Sequence, residues 1–214
     1  MTKVKICGCR TPSDIHHASK AGADFVGMVV APNTTRFVPT EDRLSLVAAA
    51  RESGIPLVCV LRNNQKPSGP MEAQDWYPGD MVQWHGQEGP DWASIDPRPS
   101  IRAVSGVNGL IENANFPCQH FLLDHGQPGS GQPFDWNSLQ QAKLPKEWFL
   151  AGGLHPLNVD QAVRRLRPWA VDVSSGVESS PGVKCGEKIR AFVAAVRQAD
   201  RSPKHVFCHL NGPG

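Results

Sequence analysis

The chain has 214 residues, 40% of them apolar, and a formal net charge of only +2, enough for one sizeable core and pointing to a single domain. Its lysines and arginines form no run of five or more, and polar residues break every apolar run well short of 18. Nothing therefore points to nucleic acid or an anionic membrane as partner, and a signal peptide or membrane span is excluded. The six cysteines (Cys7, Cys9, Cys59, Cys118, Cys185 and Cys208) lack paired spacing, which speaks against a disulfide framework and for reduced thiols in a cytoplasmic protein. Cys7 and Cys9 with His16 or His17 could begin a metal site, but no second cysteine pair completes four ligands. No metal and no cofactor are expected.

In chain order, short apolar runs begin at Val4 (VKIC), Phe25 (FVGMVV), Leu57 (LVCVL), Met81 (MVQW), Ile101 (IRAV), Phe121 (FLL), Trp148 (WFL) and Ala170 (AVDV), spaced 20 to 32 residues apart. Each interval leaves room for a crossover between parallel strands, and eight such units in this length predict a single (β/α)8 barrel of the TIM type over residues 1–200. The first helix is well punctuated, with Thr11 as N-cap, Pro12 in the first turn and Gly22 as the stop. TEDRLSLVAAARESG and EKIRAFVAAVRQ also carry helical periodicity. NNQKPSGPMEAQDWYPG and SGVNGLIENANFP are broken by glycine and proline, so one-turn helices or loops are expected there. The segment 201–214 reads as a flexible tail.

In a barrel, chemistry collects where the carboxyl ends of the strands meet. At or near those ends lie Cys7 and Gly8, Arg36, His85, Asp124, Gly152 and Gly153, and Ser175 and Gly176. Alternation aligns Lys5 with Cys7, Gln83 with His85, Leu122 with Asp124, and Asp172 with Ser174. If those faces point inward, the mouth holds a thiol, an imidazole and carboxylates. By alternation Cys9 shares the face of Cys7, unless Gly8 turns it away. Taken alone, Cys7 reads as a small buried hydrophobe and Asp124 equally as a turn cap.

Read together, KICG (5–8), GADFVGMV (22–29) followed by TRFV (35–38), VQWHG (82–86), FLLD (121–124) with GSGQPFDW (129–136), LAGGLHPLNV (150–159) and VDVSSGVESSPGVK (171–184) resemble the phosphoribosylanthranilate isomerases of tryptophan biosynthesis. The resemblance implies a metal-free Amadori rearrangement of N-(5-phosphoribosyl)anthranilate to 1-(o-carboxyphenylamino)-1-deoxyribulose 5-phosphate. It also implies that Cys7 is the base and Asp124 the acid. A free thiol is only about 3% thiolate at pH 7, so a cation should assist. Lys5 is the candidate, with Asp172 as a rival that would claim it in a buried ion pair.

The phosphate is expected on the glycine loops at 151–153 and 174–176, with the GSG at 129–131 helping to close the site. Arg36 resembles the arginine that meets the anthranilate end, and His85 either lines the site or holds its loop. The expected partner is thus a small phosphorylated molecule, with the chain a monomer or homodimer. The pattern departs from the family at Cys9-Arg10 and Cys185-Gly186, which flank the site loops. Two rivals are an isomerase of another aminoaldose phosphate and a non-catalytic phosphate binder; the pair Cys7 and Asp124 speaks against both.

Overall fold

The computed structural model describes residues 1–124 and 136–201. The GSG motif at 129–131 and all of the tail beyond Arg201 lie outside them. Eight parallel strands close a barrel in sequence order: β1 (Lys3–Cys7), β2 (Phe25–Val29), β3 (Leu57–Leu61), β4 (Met81–Trp84), β5 (Ser100–Ser105), β6 (His120–Asp124), β7 (Trp148–Leu150) and β8 (Ala170–Val173). Every apolar run of the sequence is one of these strands. Closure is made by β1 against β8, with Lys5 opposite Asp172.

Eight helices follow the strands: α1 (Pro12–Ala21), α2 (Thr40–Glu52), α3 (Pro70–Trp76), α4 (Trp92–Ile95), α5 (Gly106–Glu112), α6 (Trp136–Gln141), α7 (Val159–Leu166) and α8 (Gly186–Arg201). At α1, Thr11 and Asp14 form a reciprocal capping box and Gly22 takes the left-handed conformation at φ 86°, as its punctuation predicts. The middle crossovers differ in part from expectation. Only α4 is a single turn; α3 and α5 have seven residues each. Pro70 opens α3 rather than breaking it, because an amide in the first turn needs no helical partner.

Period-2 alternation sorts the core into two shells. Along β3, Val58 and Val60 fill the barrel with Ile101, Leu122 and Phe149, whereas Leu57, Cys59 and Leu61 face the helices beside Val4, Ile6 and Trp84. Phe25, His120, Phe149 and Trp169 stack their rings near the amino-terminal ends of the strands, with His120 lying flat on Trp169 at 4.7 Å. The polar residues of the interior are concentrated toward the opposite mouth.

One element has no counterpart in the sequence reading. After β8 and a 3-10 turn at Ser175–Val177, strands β9 (Glu178–Ser180) and β10 (Val183–Lys184) form a small antiparallel ribbon that pairs Lys184 with Glu178. No helix among the described residues is long and apolar enough to cross a membrane.

Candidate active site

The carboxyl ends of the strands surround a cavity of about 400 Å³, lined by Cys7, Arg36, His85, Asp124, Gly152, Gly153, Asp172 and Ser175, together with Ser174 and Gln83. Two of the residues expected there do not line it. Lys5 lies below the floor with no exposed surface, and Gly176 faces the other way, with its Cα against the Leu154 carbonyl so closely that any Cβ would collide with it.

β1 delivers Cys7 to the floor with 7% of its surface exposed. Gly8 then turns the chain at φ 78°, and the amides of Gly8 and Cys9 both donate to the Gly27 carbonyl at 2.9 and 2.8 Å. This turn puts Cys9 in the outer core, its thiol directed at the Ile6 carbonyl and pushed up to about 12 by burial. Cys9 is therefore not a second thiol of the mouth, although alternation alone allowed it. The other departure from the family pattern, Gly186, starts α8, and a Cβ there would press on the His17 ring at 3.2 Å.

Beneath Cys7, the Lys5 ammonium bonds Asp172 at 2.9 Å. Burial works against its charge, but Asp172 and then Cys7 outweigh that and hold Lys5 above the ordinary lysine value. Gly27 makes this grouping possible: it pairs with Cys7 across β1 and β2, and a Cβ there would meet the Cys7 sulfur at 3.0 Å and the Lys5 nitrogen at 3.3 Å. For Cys7 itself burial dominates and raises the thiol, while Lys5 and Lys184 pull the other way. The cation that the sequence called for is present, and it moderates the rise without reversing it.

Across the mouth, Asp124 ends β6 and His85 follows β4, with His85 Nε2 3.5 Å from Asp124 Oδ2. The Gln83 side-chain amide lies 3.0 Å from His85 Nδ1 and holds the ring with its Nε2 edge toward Asp124. His85 thus both lines the cavity and touches the carboxylate. Gly152 and Gly153, at φ 86° and 64°, expose backbone after β7, and a Cβ on Gly153 would meet nothing within 4 Å. The Asn158 side chain steadies that loop by donating to the Gly153 carbonyl at 3.0 Å.

Arg36 arches over Gly8, where a Cβ would lie 2.6 Å from its Cδ, and its guanidinium pairs with both carboxylate oxygens of Glu178 at 2.7 and 2.9 Å. Glu178 and Lys184 are the site residues that sequence reasoning missed. Their segment, SGVESSPGVK, carries the glycine loop and part of the family resemblance, but Pro-Gly between two short polar strands is also a hairpin signal. Lys184, with its side chain fully buried, bonds Glu178 at 2.9 Å and the Ser174 carbonyl at 3.1 Å. The Ser174 hydroxyl in turn donates to the Cys7 carbonyl at 3.1 Å. Among the described residues, no group of three or more His, Cys, Asp or Glu side chains is arranged to share a metal ion.

A closed α/β barrel that gathers a thiol, an imidazole and a carboxylate beside glycine loops at the carboxyl ends of its strands has the architecture of a barrel enzyme. Comparison with known proteins narrows the class. Residues 4–195 match the family model for N-(5'-phosphoribosyl)anthranilate isomerase. The isomerase of that name from Dechloromonas aromatica is 42% identical over 210 residues, covering 94% of this chain and 99% of its own. Among solved structures, the phosphoribosyl anthranilate isomerase of Thermotoga maritima superposes with a TM-score of 0.82 at 31% identity, covering 92% of this chain and 100% of its own. A phosphoribosyl anthranilate isomerase in complex with reduced 1-(o-carboxyphenylamino)-1-deoxyribulose 5-phosphate matches at 0.76 and 30% identity, over 92% of this chain and 100% of that one. The chain belongs to the phosphoribosylanthranilate isomerase family, enzymes of tryptophan biosynthesis.

Proposed function

We propose that this chain converts N-(5-phosphoribosyl)anthranilate into 1-(o-carboxyphenylamino)-1-deoxyribulose 5-phosphate, with Asp124 as general acid and Cys7 as general base. The observation that carries the assignment is that both groups line one cavity, which the glycines after β7 and the Arg36 guanidinium also border.

In the first step Asp124 gives its proton to the ribose ring oxygen. The C1–O bond breaks as the anthranilate nitrogen shares its lone pair, leaving an open-chain iminium. Cys7 then takes the proton from C2, and the C–H electrons move in to neutralise the iminium as an enolamine. Tautomerisation of the enolamine delivers the ketose product. His85, whose Nε2 faces Asp124 at 3.5 Å, orients the carboxylate and can share its proton. Backbone at Gly152 and Gly153 receives the phosphate, because residues without a Cβ let the main chain come close to an anion, and Ser175 joins them from the loop after β8. Arg36 takes the carboxylate of the aromatic end, where a planar guanidinium suits a planar acceptor. The pair Lys5 and Asp172 is neutral in sum and serves the floor: it keeps a cation against the Cys7 sulfur while burial resists the thiolate.

The testing experiment is turnover of Cys7→Ser and Asp124→Asn, followed by the loss of anthranilate fluorescence. Serine is nearly isosteric with cysteine and has a far higher pKa, so turnover should fall by about 10²–10⁴-fold while the fold persists. Asp124→Asn should abolish turnover and still bind a reduced product analogue. A Cys7→Ser protein that keeps more than about a tenth of parent turnover removes Cys7 from the mechanism.

A further inference from the structure

We propose that Glu178 is a positioning residue for the aromatic end of the substrate: from the β9–β10 ribbon it grips one edge of the Arg36 guanidinium and turns the other edge into the mouth. The inference rests on the reading of Arg36 as the holder of the anthranilate carboxylate.

Glu178 is nearly enclosed, with 4% of its side chain exposed. Its Oε1 accepts from Arg36 Nε and from Lys184, and its Oε2 accepts from Arg36 Nη2 and from the Gly182 amide at 3.1 Å. All of its acceptor capacity is spent within the protein, so it is equipped to hold rather than to carry a proton. The ribbon that bears it is pinned at its tip, because Gly182, at φ 80°, packs against the carbonyl of Thr35, the residue before Arg36. From the other side the Arg36 stem crosses Gly8.

The arginine is thus fixed at its stem and along its Nε–Nη2 edge. It lines the cavity, and among the described residues its Nη1 makes no hydrogen bond. That free edge is the one a guest carboxylate can use in bidentate fashion. Two cations, Arg36 and Lys184, share the single carboxylate of Glu178, which leaves one positive charge for the guest anion. Lys184 and the Gly182 amide retain Glu178 when a guest arrives. The carboxylate therefore does not behave as a competitor that must first let go of the arginine.

The test measures the inhibition constants of anthranilate and of inorganic phosphate, with kcat and KM, for the parent, Glu178→Gln, Arg36→Ala and the double variant. Glu178→Gln should weaken anthranilate and raise KM by about tenfold or more, leaving phosphate inhibition and kcat within about twofold. In the Arg36→Ala background, adding Glu178→Gln should change anthranilate inhibition by less than about twofold, since the residue acts through the arginine. Should the glutamine variant fail to fold because buried Lys184 loses its partner, Glu178→Asp keeps the charge, withdraws the carboxylate by one methylene and should give the same selective loss.

Equal weakening of anthranilate and phosphate overturns the inference, as does a penalty that persists without Arg36. Tighter anthranilate binding in Glu178→Gln also overturns it, by making Glu178 a competitor. If Arg36→Ala alone leaves anthranilate inhibition unchanged, the assigned role of Arg36 falls and this inference with it. If Arg36→Ala weakens anthranilate and Glu178→Gln does not, only this inference falls.

Discussion

Glu178 should make the protein sensitive to acid in a window that the structure defines. Burial alone would raise its carboxyl, but the hydrogen bonds from Arg36 and Lys184 outweigh burial and hold it at about 2, against an ordinary 4.5. A carboxylate lowered in the folded state contributes stability that is complete above the unfolded value and is lost as pH falls toward the folded one. The difference from 4.5 to about 2 corresponds to roughly 3 kcal/mol near neutrality, of which about 2 kcal/mol should be gone by about pH 3. Urea unfolding of the parent and of Glu178→Gln between pH 7 and 3 measures it. Because the variant has no carboxyl to titrate at this position, the stability gap between the two proteins should narrow by about 2 kcal/mol across that range. The lost contact of Lys184 adds an offset, so the narrowing of the gap carries the test and its absolute size does not. A gap that stays constant from pH 7 to 3 would falsify the account of Glu178 as a carboxylate clamped by two cations.

Four further outcomes follow from the packing and electrostatics of the site. Gly27→Ala introduces a Cβ 3.2 Å from the Cys7 Cα and 3.0 Å from its sulfur; crowding of this kind should cost about 1–3 kcal/mol in urea unfolding and lower kcat, and an unchanged kcat would show that the thiol has freedom to move. Burial raises the Cys7 thiol, so iodoacetamide labelling of Cys7, followed by peptide mass spectrometry, should be slower at pH 7 than for a free thiol and should still be climbing above pH 9.0, the ordinary value; a rate already level below that pH contradicts the direction. Gly153→Ala meets no neighbour and keeps a left-handed residue, so it should cost about 1–2 kcal/mol of stability and raise KM more than it lowers kcat. Gly176→Ala collides with the Leu154 backbone and should destabilise more than Gly153→Ala does; equal stabilities of the two would refute the packing described for Gly176.

The strands were legible because each is an apolar run bounded by glycine, proline or polar residues, and eight of them at crossover spacing leave few alternatives to a barrel. Helix α1 was legible because Thr11, Pro12 and Gly22 punctuate both of its ends within the chain itself. Helix α3 was obscured by Pro70, which falls in its first turn where proline is tolerated, and α5 by Gly106 and Gly109, whose modest penalty was overridden by packing against the barrel.

At the site, alternation along single strands aligned Lys5 with Cys7 and Leu122 with Asp124, and the family resemblance, not alternation, pointed Cys7 and Asp124 to the mouth. Alternation failed at Cys9, where the left-handed turn at Gly8 interrupts it. The ion pair of Lys5 with Asp172 was already a candidate in the sequence, and the structure forms it across 167 residues; what only the tertiary structure decided is the clamp of Glu178 on Arg36 across 142. The same holds for the tight approaches at Gly27 and Gly176. Periodicity is a property of neighbours in the chain and can be read there. The partner of a buried charge, and the space available to a Cβ, are set by which segments the closing barrel brings together, and that is decided by the packing of the whole chain.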